Sequence, residues 1–196
     1  TAVIPFAGEN ITNDIKTGLG VLKTQAEQMK VQFGSALANE AKANAYITIP
    51  GLRGMPAKEI SVKNLANIIQ ARMEEIIGQV YWEIKNSGYE RKLIAGIVLT
   101  GGGAQLKHIR QLTEYLTGMN TRIGYPNEHM AGNMPDELCS PMYSTGIGLV
   151  IKGFEHTEKK NKVVKKGKEA TSKGRLNFFD SIVKSGKTFF EADNIK

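Results

Sequence analysis

The sequence predicts an α/β protein, and three observations carry that prediction. Segments with strand and helix periodicity alternate along the chain. The stretch "KLIAGIVLT" (92–100) is a continuous apolar run suited to a strand buried on both faces. Three glycines at 101–103 follow it at once and lead into an amphipathic helical pattern.

The elements follow in order. Residues 1–6 read as a strand. Residues 7–34 read as helix, broken near Gly18 and Gly20, with Ile11, Ile15 and Leu19 recurring every four residues on one apolar face. "AYITIPG" alternates as a short strand and closes on Pro-Gly, and "PAKEISV" is its hairpin partner. Residues 61–87 hold a long helical pattern capped by Ser61, with Leu65, Ile68, Ile69, Met73, Ile76, Ile77 and Val80 at helical spacing. After the glycines, "LKHIRQLTEYLTG" reads as a helix ending at Gly118, "TRIGYP" as a strand and "MYSTGIGLVIKGF" as a last helix.

Composition narrows the functional classes. The 196 residues suffice for one large domain or two small ones. A single cysteine, Cys139, excludes an internal disulfide framework and a cysteine-rich metal site. His108, His129 and His156 are scattered, so no metal-ligand spacing and no catalytic residue is predicted. No stretch reaches the roughly 20 apolar residues of a membrane span. The chain opens on "TAVIPF" without a signal-peptide pattern, as a piece cut from a longer protein would. The net charge of +7 is uneven: residues 155–196 carry eleven Lys and Arg against six Asp and Glu. A basic tail of this kind points to an anionic surface.

Two features are candidates for chemistry. Glycines at the carboxyl end of a strand make a tight turn, or they let a ligand lie directly on bare backbone, where no Cβ intervenes. The spacing is neither a Walker loop nor GxGxxG. In "AEQMKVQFGSA", Glu27 and Lys30 are three apart and share a helix face. As a solvated ion pair they contribute only a few tenths of a kcal/mol.

Taken together, "AGENITNDI", "AEQMKVQFG" and "GIVLTGGGAQL" occur in the order found in actin-like ATPases. With "AKEISVKNLANIIQARMEEI", "TRIGYP" and "PMYSTGIGLV", they make residues 1–154 resemble the FtsA family of bacterial cell-division proteins. The resemblance implies an actin-like (ribonuclease H-like) ATPase fold. Subdomain IIA would take residues 1–35 and 91–154, and subdomain IIB residues 36–90. It implies ATP as ligand. Glu27 and Lys30 would approach ribose and adenine, Gly101, Gly102 and Gly103 would lie under the nucleoside, and Gln105 over adenine. A carboxylate accepts bonds from two ribose hydroxyls, and an ammonium can bond or cover the base. Ala7 stands where the family more often has glycine. Neither DxGxxT nor DxGxGT occurs, so the phosphate loops, and the Mg2+ they hold, are expected outside this chain, which is then not catalytic alone.

The resemblance also implies partners: the C-terminal peptide of the tubulin-like protein FtsZ on subdomain IIB, with Lys63 and Arg72 as candidate contacts, and other copies of the chain in an actin-like polymer. Residues 155–174 are lysine-dense without apolar period and read as a disordered linker. In 175–191, Leu176, Phe179, Ile182, Val183, Phe189 and Phe190 fall on one helical face flanked by Lys184 and Lys187. Sixteen such residues make a helix about 24 Å long, fit to lie in a membrane interface rather than cross it. FtsA-family proteins end in a helix of this type, so the resemblance implies a location on the cytoplasmic face of the inner membrane at the division site. The competing readings are a sugar-kinase or chaperone-type ATPase of the same fold, which has no use for such a tail, and nucleic-acid binding through the lysines. The tail's aromatics gather on one face rather than interleaving with basic residues, so nucleic acid is not expected as a partner.

Overall fold

The computed structural model describes residues 1–42, 44–51, 56–127 and 135–157. They divide into two units, Thr1–Thr145 and a second that begins at Gly146.

In the first unit, the helical stretch after residue 7 divides into α1 (Gly8–Leu19) and α2 (Lys23–Phe33). The break falls at Gly20, whose φ of 60° is the left-handed conformation that ends helices. Each helix start is held by a side chain reaching back: Asn10 Oδ1 accepts the Ala7 N–H at 3.0 Å, and Gln25 Oε1 accepts the Leu22 N–H at 3.1 Å. The hairpin forms as predicted from β1 (Tyr46–Ile49) and β2 (Lys58–Ser61), antiparallel with Ile47 opposite Ile60. The long helix α3 (Val62–Asn86) follows directly.

These elements share a core. Ile11, Ile15 and Leu19 of α1, Ala26 and Met29 of α2, Ile49 and Ile60 of the hairpin, and Leu65 and Ile69 of α3 form one buried cluster. The segments 1–35 and 36–90 therefore pack into each other. Arg72 of α3 adds a forked ion pair to Asp14 of α1, at 2.5 and 3.0 Å, and a bond to Glu75. Leu65 is fully buried in this cluster. Leu65→Ala is expected to lower the unfolding free energy by about 2–5 kcal/mol, read from the urea midpoint at constant m-value.

A second cluster, Ala36, Ile77, Ile109 and Leu112, ties α3 to the remaining elements. These are β3 (Ile97–Leu99), α4 (Ile109–Thr117) and β4 (Thr121–Ile123). β3 and β4 pair in parallel with α4 as their crossover, and Ile97 lies opposite Thr121.

The structure corrects four expectations here. Residues 1–6 form no strand: Pro5 has no N–H for a ladder, no described strand pairs with the segment, and Val3 is 91% exposed. The strand within 92–100 shortens to three residues and is half-buried, because β4 is its one partner among the described residues. The glycines do not open a helix directly: 102–105 make one 3-10 turn, and α4 begins only after His108, which takes φ 61°. The last helix covers 144–157, so Glu155, His156 and Thr157 are helical where the linker was expected to start. The rest of that linker and all of 175–191 lie outside the described residues.

Candidate functional site

The first turn of α1, the middle of α2 and the turn after β3 line one cleft of about 550 Å³. This volume lies within the roughly 300–1,000 Å³ of small-molecule sites. Of the predicted residues, Glu27, Lys30, Gly102, Gly103 and Gln105 all face it.

The three glycines divide the two roles proposed for them. Gly101 makes the turn: its φ is 87°, which a residue with a Cβ adopts only under strain, and its N–H donates to Pro141 O at 3.0 Å. Gly102 and Gly103 make the wall. A Cβ built on Gly103 would meet no heavy atom within 4 Å, and one on Gly102 would touch only Met142 at 3.7 Å. Backbone there is bare toward open space. Gln105 Nε2 donates to Ser140 Oγ, so the 140–143 segment braces the turn.

Opposite, Glu27 and Lys30 sit in a four-group network. Glu27 Oε2 accepts from Lys30 Nζ at 2.7 Å and from Thr12 Oγ1 at 2.5 Å. Lys30 Nζ also donates to Gly8 O at 3.0 Å and to Thr12 Oγ1 at 2.9 Å. The pair is more than a solvated contact, since the Lys30 side chain is only 15% exposed. Partial burial pushes the Glu27 carboxyl up, but the bonds from Lys30 and Thr12 and the charges of Lys30 and Lys23 outweigh it and hold the group below its usual range. Glu27 is a carboxylate at neutral pH. Closer to solvent, Lys23 pairs with Glu9 and links the first turns of α1 and α2. The bond and charge of Lys23 hold the Glu9 carboxyl low.

Thr12, Gly8 and Met142 were not singled out in the sequence. Gly8 and Thr12 lie one helical turn apart at the start of α1, and only the packing of α2 against α1 brings them to Glu27 and Lys30. Met142 lines the cleft although it lies well past β4 in the chain, and no local pattern announces that.

The candidate FtsZ contacts are not brought together. Lys63 and Arg72 are nine residues apart on α3, which turns them about 180° from each other. Lys63 is exposed, whereas Arg72 is held by Asp14 and Glu75, whose bonds and charges raise its pKa further. The six membrane-facing candidates, Leu176 to Phe190, lie outside the described residues. Among the described residues no His, Cys, Asp and Glu cluster could hold a metal ion. Among them too, no helix is long and apolar enough to cross a membrane.

A nucleoside fits this chemistry. The glycine turn offers backbone without a Cβ, and α2 presents a carboxylate whose Oε1 has no hydrogen-bond partner among the described residues. The same architecture recurs in solved structures of MreB5 from Spiroplasma citri, bound to ADP and to AMPPNP. The TM-scores are 0.57 and 0.60 at 22% identity, over 81% of this chain and 46% of those chains. The fold is therefore that of the actin-like proteins.

Sequence comparison narrows the class. The family model described as "Cell division protein FtsA" matches residues 1–148, and the chain belongs to the FtsA family. It is 37% identical over 155 residues to the FtsA of Pseudomonas aeruginosa, covering 79% of this chain and 37% of that protein. It is 33% identical to the Escherichia coli K12 protein, over 79% of this chain and 38% of the relative, and 35% identical to that of Bacillus subtilis, over 76% and 32%. The chain thus spans roughly a third to two-fifths of these relatives.

Proposed function

We propose that this chain supplies the nucleoside half of an ATP site in an actin-like protein that polymerises and tethers FtsZ filaments to the inner membrane at the septum. The observation carrying the reading is the cleft that sets Glu27 opposite the bare backbone of Gly102 and Gly103. Glu27 would accept from the ribose hydroxyls, Lys30 would hold that carboxylate in place, and the base would lie on the glycine turn beside Gln105. Phosphate and Mg2+ would be held by loops that this sequence does not contain. Nucleotide state would then set assembly. The amphipathic pattern in 175–191, after a basic linker, supports a peripheral membrane anchor on the cytoplasmic side. The FtsZ peptide would dock on the segment 36–90, where exposed Lys63 is available to an acidic residue and Arg72 is engaged elsewhere.

The experiment uses the full-length protein. Glu27→Ala combined with Lys30→Ala removes both charges at once, so no partly buried charge is left unpaired. ATP affinity by calorimetry is expected to fall by about tenfold or more, from the loss of charge-assisted bonds. Unaltered affinity would reject the assignment.

A further inference from the structure

We infer that Thr12 is a positioning residue: it fixes the ribose-facing carboxylate of Glu27 and so gives the site a preference for ribose over 2′-deoxyribose nucleotides. The inference rests on the nucleoside reading above and deepens it. Thr12 is 1% exposed, and its hydroxyl sits between the two charged residues.

Counting protons defines its role. A threonine hydroxyl has one proton to donate and lone pairs to accept. Both Glu27 Oε2 at 2.5 Å and Gly8 O at 3.1 Å lie within reach of that proton. The shorter contact goes to the charged acceptor, and Gly8 O is served by Lys30 instead. Lys30 has three ammonium protons, and three acceptors take them: Gly8 O, Thr12 Oγ1 and Glu27 Oε2. No Lys30 proton remains for a ligand, so Lys30 acts as a pin rather than a contact. Oε2 of Glu27 is fixed from two sides, by Thr12 on α1 and Lys30 on α2. A carboxylate bound at one oxygen through two directions cannot swing about its broad terminal torsion. Its other oxygen, Oε1, is held out as an acceptor. Without the hydroxyl, Oε2 keeps one partner, the ammonium keeps two, and the carboxylate is free to rotate.

The test measures ATP and 2′-deoxy-ATP affinities of the full-length protein carrying Thr12→Val, Thr12→Ser or Glu27→Ala. Thr12→Val keeps the shape and removes the hydroxyl. It is expected to weaken ATP about tenfold and 2′-deoxy-ATP by less than about threefold, while Thr12→Ser restores both the affinity and the preference. Thr12→Ala, a better helix former, is expected to give the same pattern and serves if the valine variant is insoluble. Equal weakening of both nucleotides by the alanine or valine variant, or no weakening while Glu27→Ala loses ATP, overturns the role of Thr12 and leaves the site standing. Unchanged ATP affinity in Glu27→Ala removes the nucleoside reading itself, and this inference with it.

Discussion

Gly103→Leu is expected to fold as stably as the parent protein and to bind ATP weaker by on the order of tenfold or more. The two halves of that result come from one geometric fact. Gly103 takes no left-handed φ, and a Cβ there meets no heavy atom within 4 Å, so a Cβ is accepted without strain or clash. Gly103 lines the cleft proposed to hold the nucleoside, and the expected loss of affinity is that of a side chain taking up room there. Gly101→Leu is the matched contrast. Its backbone sits at φ 87°, so the same side chain strains the turn, and the melting temperature is expected to fall. Thermal unfolding beside ATP titration separates the two. If Gly103→Leu binds ATP normally, the glycine wall does not carry the nucleoside.

Phe179→Asp combined with Phe189→Asp is expected to abolish flotation of the full-length protein with anionic vesicles. Each buried aromatic contributes roughly 1.5–3 kcal/mol, so losing two weakens partition by on the order of a hundredfold or more. The lysines of 159–168 add up to about 1 kcal/mol each near anionic lipid, a contribution that salt screens. Flotation of the parent should therefore weaken, without vanishing, as ionic strength rises, whereas the aspartate pair should fail at any salt. Unchanged flotation of the pair would remove the membrane role. A gel shift with nucleic acid stronger than vesicle binding would redirect the basic tail to a different partner.

Helices and the hairpin were legible because their signals are local. Ile11, Ile15 and Leu19 sit at a spacing of four, Gly20 and Gly118 take the left-handed conformation that ends a helix, and "YITI" and "KEIS" pair antiparallel. The misread pieces depend on partners distant in sequence. "TAVIPF" has strand composition, but a strand exists only where a neighbour completes its ladder. "KLIAGIVLT" has the composition of a doubly covered strand, yet its outer residues are exposed: Ile94 is 93% accessible. The site divides in the same way. Glu27 and Lys30 announce themselves by helical spacing, and the glycines by their run. Thr12 is invisible as a site residue until α1 and α2 are packed together, because its hydroxyl matters only through what it touches 15 and 18 residues away. Arg72 is the reverse case. It has the look of a free surface cation in the sequence, and the packing of α3 on α1 gives it to Asp14.

In the proposed site the base of ATP lies between α2 and the glycine turn. Photolabelling the full-length protein with 8-azido-ATP, followed by mass spectrometry of the adducts, tests this most directly. A label is expected on the segments holding Glu27–Lys30 or Gly101–Lys107, suppressed by excess unlabelled ATP. An ATP-suppressible label that falls entirely outside those two segments would contradict it.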